Sequence, residues 1–511
     1  MMRKLHILKA IVLVGLLFVQ NPAQAQARKY KPTWESLLQY KTPEWFHDAK
    51  FGIFIHWGPY VVPDYLGPFY GYHMYRENIV DIKGNPNPDR KNDVFQHHIE
   101  AYGGTEKFGY KDFIPQFTGG NFDARQWMAL FEEAGARYVV PVAEHCDGFA
   151  MYASTKTKWN AANMGPKKDI VGALFEAGRK AGMKMGMSSH YAYGWYWWGY
   201  RQGTDTTDPR YEDFYGKPHK ITDPHSAEHV DNVYDRTMDM IKLYQPDLLW
   251  FDLGFSNPEY EEMRKKLLAN YYNQAAKSKQ GVVLNYKNIS YKPIPDGAAV
   301  LDIESGKLDR IRELPWQTDM SPGGWMWSYT SKWTTKPAKG LINDLIDIVS
   351  KNGNLLLNVA PDVHGNISAD QQANLREIGQ WLKVNGEAIY GTRPFAVFGQ
   401  GPTNAHMVLH GNLKDTGFTA EDFRYTQKGP TVYAFMLQWE QGRGTIKLKA
   451  LGSDQHIIND KIKAVTILGY GQPLTWTQEK DGLVIQLPAE HPAKNAITFK
   501  VELEEAPAGI F

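Results

Sequence analysis

The chain has 511 residues, with 57 Lys+Arg against 56 Asp+Glu and one cysteine, Cys146. That length implies two domains. The balanced charge excludes a general electrostatic pull toward nucleic acid or an anionic membrane surface, and a lone cysteine excludes an intramolecular disulfide. The 16 Trp and 29 Tyr suit stacking against sugar faces as well as core packing.

In chain order, the first feature is a targeting signal. Arg3, Lys4 and Lys9 precede and flank the apolar run AIVLVGLLFV, and Ala23-Gln24-Ala25 fits a small-x-small cleavage site. Residues 1–25 are therefore read as a signal peptide of an exported protein, periplasmic or secreted, whose mature chain starts at Gln26. The run is shorter than the roughly 20 residues of a membrane-spanning helix, and no cysteine lies near the cleavage site, so no membrane anchor is expected.

Eight short apolar segments follow: FGIFIHW (51–57), RYVVPVAEH (137–145), MKMGMSSH (183–190), DLLWFD (247–252), GVVLN (281–285), AAVLDIE (298–304), WMWSY (325–329) and GNLLLNVAP (353–361). Most follow an amphipathic helical pattern such as FDARQWMALFEEAGA. Strands alternating with helices predict a parallel sheet covered on both faces. Eight of them predict a (β/α)8-like barrel over residues 26–390. From residue 391 the texture changes to short β-like runs (FRYT, TVYAFML, GTIKLKAL, KAVTIL, GLVIQL, AITFKVEL) punctuated by Gly, Pro and Asp, which predicts a C-terminal β-sandwich over 391–511.

The active site of such a barrel lies at the C-terminal ends of its strands. Those ends carry His56, His145, His190, Asp252, Asn285 and Glu304, with Asn358 near the end of the last. Buried polar groups cost about 1–3 kcal/mol each when unpaired, so this repeated placement points to one functional mouth. Two chemistries compete for it. Asp252, flanked by Trp250, Phe251 and Phe255, together with Glu304 supplies the paired carboxylates of glycoside hydrolysis. Alternatively, His56, His145, His190 and Asp252 could bind a divalent metal. The first strand lacks an HxH pair and no HExxH occurs, so the carboxylate reading is preferred and no metal or cofactor is expected. Trp57 is either a substrate contact or a packing residue. Trp195, Trp197 and Trp198 are read as a substrate-facing wall, and Gln96-His97-His98 as surface.

Several stretches resemble one family. KFGIFIHWGPYVVP is similar to the N-terminal signature of the α-L-fucosidases of glycoside hydrolase family 29, AEHCDGFAMY to its HHDGF segment, and QPDLLWFD to its nucleophile strand. DIVSKNGNLLLNVAP and IYGTRPF resemble its last strand and domain junction. The resemblance spans about residues 33–440. It implies a retaining glycosidase acting on fucosylated glycans, with Asp252 as nucleophile and with His56, His145 and Trp250 holding sugar hydroxyls. Two departures stand out. Cys146 replaces the second His of the family's pair, and the family's Thr-Pro-Glu acid/base segment is absent. LDIESGKLDRIRELPWQTD stands in its place, where Glu304, next to the strand end, is the expected acid/base and Glu313, Asp302 and Asp309 are its rivals. A glycosidase for a similarly configured sugar such as an L-galactoside, and a non-catalytic carbohydrate-binding protein, are the alternatives on this fold; the second would require the nucleophile to be lost.

Overall fold

The structure, a computed structural model, describes residues 29–81, 83–287, 293–403, 417–440, 442–458, 461–489 and 494–507. The expected signal peptide lies outside the described residues. Eight parallel strands close into a barrel: β1 (Phe51–Ile55), β2 (Tyr138–Glu144), β3 (Lys184–Ser189), β4 (Leu248–Phe251), β5 (Val283–Lys287), β6 (Val300–Asp302), β7 (Trp316–Met320) and β8 (Gly353–Val359). They pair in chain order, and β8 closes on β1 with Phe51 opposite Leu355. Helices α1 (Ala124–Glu133), α2 (Ile170–Lys180), α3 (Ala227–Tyr244), α4 (Glu261–Lys277) and α5 (Ala338–Ser350) cover the outside, and α6 (Ala369–Asn385) follows β8. Asp123 and Asp169 start α1 and α2 by accepting backbone N–H groups of the first turn.

The alternation of a strand decides what each residue meets. Phe51, Ile53 and Ile55 of β1 join the large core beneath the helices. Phe54 joins a separate inner cluster with Tyr138, Val140, Leu248, Trp250, Val283, Val300 and Leu356, which fills the barrel. Gly52 belongs to this inner face, and a Cβ there would lie 2.4 Å from the Tyr138 ring. The inner face turns polar toward the strand ends. Tyr138 Oη donates to Gln317 Oε1 at 2.8 Å, and Gln317 Nε2 donates to Asp302 Oδ2 at 2.6 Å.

Two strand assignments differ from the sequence reading. The seventh strand is Trp316–Met320, and residues 325–329 lie in a loop outside any strand. The true strand carries Gln317 and Asp319 on its inner face, which breaks the apolar run that marks the other strands. The aromatic WMWSY imitates a strand but follows the turn at Gly323 and Gly324. The fifth strand also runs two residues beyond Asn285, to Lys287.

Beyond α6, two antiparallel sheets form the C-terminal unit. One has five strands in the order β9-β10-β11-β16-β13: β9 (Arg393–Gln400), β10 (Phe423–Lys428), β11 (Thr431–Met436), β16 (Ile497–Leu503) and β13 (Ile462–Ile467). The other places β15 (Gly482–Gln486) between β12 (Thr445–Leu448) and β14 (Trp476–Glu479). Phe395, Tyr425 and Phe499 of the first sheet share one core with Ile446, Leu483 and Ile485 of the second, so the unit is a sandwich. It is tied to the barrel by a buried ion cluster. Asp347 of α5 accepts from Lys351 Nζ at 2.7 Å and from Arg424 Nε of β10 at 2.5 Å.

Candidate active site

The barrel mouth gathers three imidazoles. The ring centres of His145 and His190 are 4.7 Å apart, those of His56 and His190 5.3 Å. His56 and His190 occupy the next inward positions beyond β1 and β3, while His145 follows β2, whose register with β3 shifts between Val142 and Glu144. His56 Nδ1 sits 2.8 Å from Asn358 Oδ1, while the other side of that carboxamide donates to the Trp327 carbonyl at 2.6 Å. The carboxamide oxygen can only accept, so Nδ1 carries the His56 proton. Burial, and then the charge of His190, hold His56 and His145 well below the ordinary imidazole range, so both are neutral.

Asp252 follows β4 on the inward face of Trp250. Its Oδ2 accepts from His190 Nδ1 at 2.9 Å. Its Oδ1 faces Lys287 Nζ at 3.4 Å. Burial alone would raise its pKa, but Lys287 and the His190 hydrogen bond outweigh it and hold the carboxyl well below the usual range. Asp252 is therefore ionised.

Lys287 is the residue that sequence reasoning missed. It ends β5 inside the barrel and meets Glu304 Oε2 at 2.6 Å and Asp319 Oδ2 at 3.3 Å as well as Asp252. The Trp250 ring lies 4.8 Å from its Nζ. Burial opposes its charge, but Asp319, Glu304 and Asp252 outweigh burial and raise its pKa well above normal. Because one ammonium touches both, Asp252 Oδ1 and Glu304 Oε2 are at most about 6 Å apart. Period 2 could have found Lys287, since Val283, Asn285 and Lys287 share a face. Asp319 was missed with its strand. It lies 1% exposed beside Asp302, and burial of both, plus the Asp302 charge acting on Asp319, favours keeping a proton on that pair.

The rivals for Glu304 go elsewhere. The Glu313 carbonyl accepts from Asn352 Nδ2, just before β8 begins, which puts Glu313 at the opposite end of the barrel from the mouth. Asp309 is exposed and pairs with its neighbour Arg310. Asp302 and Asp319 lie beneath Lys287, whereas the Glu304 carboxylate is 25% exposed and lines an open cavity. Trp57 is not brought to the mouth. One residue past His56, it faces the other way, packs on Phe117, Phe122 and Trp127, and donates its indole N–H to the Asp362 carbonyl at 2.7 Å. Of the three Trp in YGWYWWGY, Trp197 lies against His145 with ring centres 5.5 Å apart. Trp195 stacks on His219, and Trp198 packs on Tyr110 and Tyr215, so the expected wall reduces to one ring. Trp327, from the loop after β7, covers His56 with ring centres 5.1 Å apart.

Several buried polar atoms converge here without a protein hydrogen-bond partner: His145 Nδ1, Trp197 Nε1, Tyr60 Oη and both ends of the Asn285 carboxamide. At about 1–3 kcal/mol each, such a group of orphans is expensive unless a polyhydroxylated ligand satisfies them. His56, His145 and His190 each offer a nitrogen within 4.8 Å of the others, so they could also hold a metal ion; both nitrogens of His190, however, are engaged, by Asp252 and by Ser188 Oγ at 3.1 Å. Cys146 is buried, and burial followed by the Asp252 charge pushes its thiol well up, so it stays neutral.

Comparison with known proteins agrees with this geometry. Residues 17–387 match the family model described as Alpha-L-fucosidase, and residues 415–502 that of the Alpha-L-fucosidase C-terminal domain. The chain is 30% identical to human tissue alpha-L-fucosidase over 485 residues, covering 93% of this chain and 92% of that one. The mouse counterpart is 29% identical over 479 residues, covering 92% and 93%. The crystal structure of Thermotoga maritima alpha-fucosidase superposes with a TM-score of 0.71 at 27% identity, covering 93% of this chain and all of that one. The same enzyme solved in complex with fucose gives 0.70, with the same identity and coverage. A family model that spans the barrel, a second on the sandwich and matches along nearly the full length lead to one assignment: the chain belongs to the α-L-fucosidase family of glycoside hydrolases, family 29.

Proposed function

We propose that the protein is an exported α-L-fucosidase that releases terminal α-L-fucosyl residues from glycans by double displacement with retention of configuration. The observation that carries the mechanism is the shared ammonium of Lys287, which keeps Asp252 and Glu304 within about 6 Å of each other. Retaining glycosidases need about 5–5.5 Å between their carboxyl groups, whereas inverting ones leave room for a water at about 6.5–9.5 Å. Export rests on the basic, apolar and small-x-small pattern of residues 1–25.

In this mechanism Asp252, held ionised by Lys287 and oriented by His190, attacks the anomeric carbon. Glu304 protonates the departing glycosidic oxygen. In the second step the same Glu304 takes a proton from water, which displaces Asp252 from the opposite face. The sugar hydroxyls bond to His56 Nε2 as an acceptor and to the unpaired nitrogen of His145, beside the Trp250 ring. The rings of Trp197 and Trp327 wall the site against water.

The test pairs two variants with azide. Asp252→Gly should lose several orders of magnitude of activity and, with azide on an activated α-fucoside, give the inverted β-fucosyl azide. Glu304→Ala should spare substrates with excellent leaving groups, cripple natural fucosides and give the retained α-fucosyl azide. Substantial activity in Asp252→Gly, or equal damage on good and poor leaving groups in Glu304→Ala, would overturn the assignment.

A further inference from the structure

Outside Glu304 the mouth opens into a cavity of about 380 Å³. Its lining includes the rings of Phe69, Trp325 and Trp327 and the polar side chains of Ser321, Lys336 and Asp344. The two outer rings are unusually bare. Phe69 is 40% exposed, and Trp325, at 57%, is the most exposed large apolar side chain among the described residues. Neither needs to be there for the core. Trp327, two residues along, already closes the barrel over His56, so the loop could hide its second indole and does not. The charged part of the lining is tied together: Lys336 Nζ donates to Asp344 Oδ2 at 2.8 Å, and Lys307 pairs with the other oxygen of the same carboxylate.

We propose that this cavity seats the sugar to which the fucosyl group is attached, with the Trp325 indole as the platform under its ring. The proposal rests on the fucosidase reading above, because it takes Glu304 as the group that protonates the leaving oxygen. An acid that protonates that oxygen must have the leaving group on its solvent side, and this cavity is the space that Glu304 lines. A pyranose presents a ring of C–H groups on one face and hydroxyls on its edge. An exposed indole in a cavity also lined by ammonium, carboxylate and hydroxyl matches both. The volume lies at the lower end of the range for ligand sites, which suits one sugar ring more than a long chain. The substrate class is therefore a fucoside of a hexopyranose, the specificity at this position coming from stacking, with Phe69 as a second ring in the lining.

The test compares kcat/KM of the wild-type, Trp325→Ala and Trp325→Phe proteins on two substrates: an α-L-fucosyl-hexopyranose disaccharide, and α-L-fucosyl fluoride, which has no leaving-group ring. Trp325 is exposed, so both variants should fold. Trp325→Ala should lower kcat/KM on the disaccharide about tenfold, the size expected for one stacked ring, and leave the fluoride within twofold of wild type. Trp325→Phe should recover most of the loss. An equal loss on both substrates, or no loss on the disaccharide, overturns the platform while leaving the fucosidase reading intact. A wild-type protein that hydrolyses neither substrate overturns the fucosidase reading, and the platform with it.

Discussion

Replacing Lys287 with methionine removes the cation that bridges Asp252, Glu304 and Asp319 and keeps most of the side-chain volume. A unit pair at the 3.4 Å separating Lys287 from Asp252 interacts by about 5 kcal/mol at an effective dielectric constant near 20. If rearranged solvent and the His190 hydrogen bond recover half of that, the Asp252 carboxyl loses about 2.5 kcal/mol of preference for its ionised form, or about 2 pKa units. Lys287 holds the Asp252 pKa down, so its removal moves that pKa up. The acidic limb of kcat/KM on an activated aryl fucoside should therefore rise by about 2 pH units in Lys287→Met, with a lower plateau. Denaturant unfolding should show a loss of about 3–5 kcal/mol, as expected when one partner of a buried ion cluster is removed. Lys287→Arg, which keeps the charge, should return the limb close to wild type. An unmoved limb in Lys287→Met, or an arginine variant no better than the methionine, would refute the claim that this cation sets the ionisation of Asp252.

Other outcomes are expected elsewhere. The buried Asp147 carboxyl, pushed up to about 6 by burial against the hydrogen bonds from Tyr110 and the Phe149 amide, stabilises the fold fully below about pH 4 and loses about 3 kcal/mol of that as pH rises through 6. Asp147→Asn should lack this slope in denaturant melts taken from pH 4 to 7, and an identical slope in both proteins would exclude Asp147 as its source. Arg424→Met, which strips Asp347 of its partner from the sandwich, should cost about 3–5 kcal/mol; a melt within 0.5 kcal/mol of wild type would show that the cluster does not hold the two units together. Exhaustive dialysis against a chelator should leave activity intact, whereas a loss restored by zinc or manganese would assign the three imidazoles to a metal.

The barrel was readable because its strands are buried on both faces and so appear as apolar runs. The same rule hid β7, where Gln317 and Asp319 face inward and interrupt the run, while the aromatic loop at 325–329 looked more like a strand than the strand did. The candidate site was readable at residues that end apolar segments: His56, His145, His190, Asp252 and Glu304. Lys287 was overlooked although period 2 puts it on the inward face, because a lysine two positions past an apolar run suggests solvent and its three acidic partners are distant in sequence. Trp57 shows the opposite error. Proximity to His56 made it a candidate, but adjacent residues at a strand end face opposite sides, and the indole went to the outer core. Glu313 was a plausible acid by chemistry alone; only the path of its loop, which returns to the start of β7, carries it to the wrong end of the barrel.

The loop that follows β7 holds two tryptophans with divided duties. Trp327 takes part in the inner wall and accepts from Asn358 through its backbone, while Trp325, two residues earlier, looks outward. Its outer section can therefore vary with little disturbance of Asp252, which is carried by a different strand. A protein built this way can diversify by loop exchange: grafting residues 321–326 from one relative into another should transfer preference for the departing sugar and leave recognition of the fucosyl ring behind. Innovation in such a lineage is expected to concentrate in a segment of a few residues while the barrel that supports it stays still.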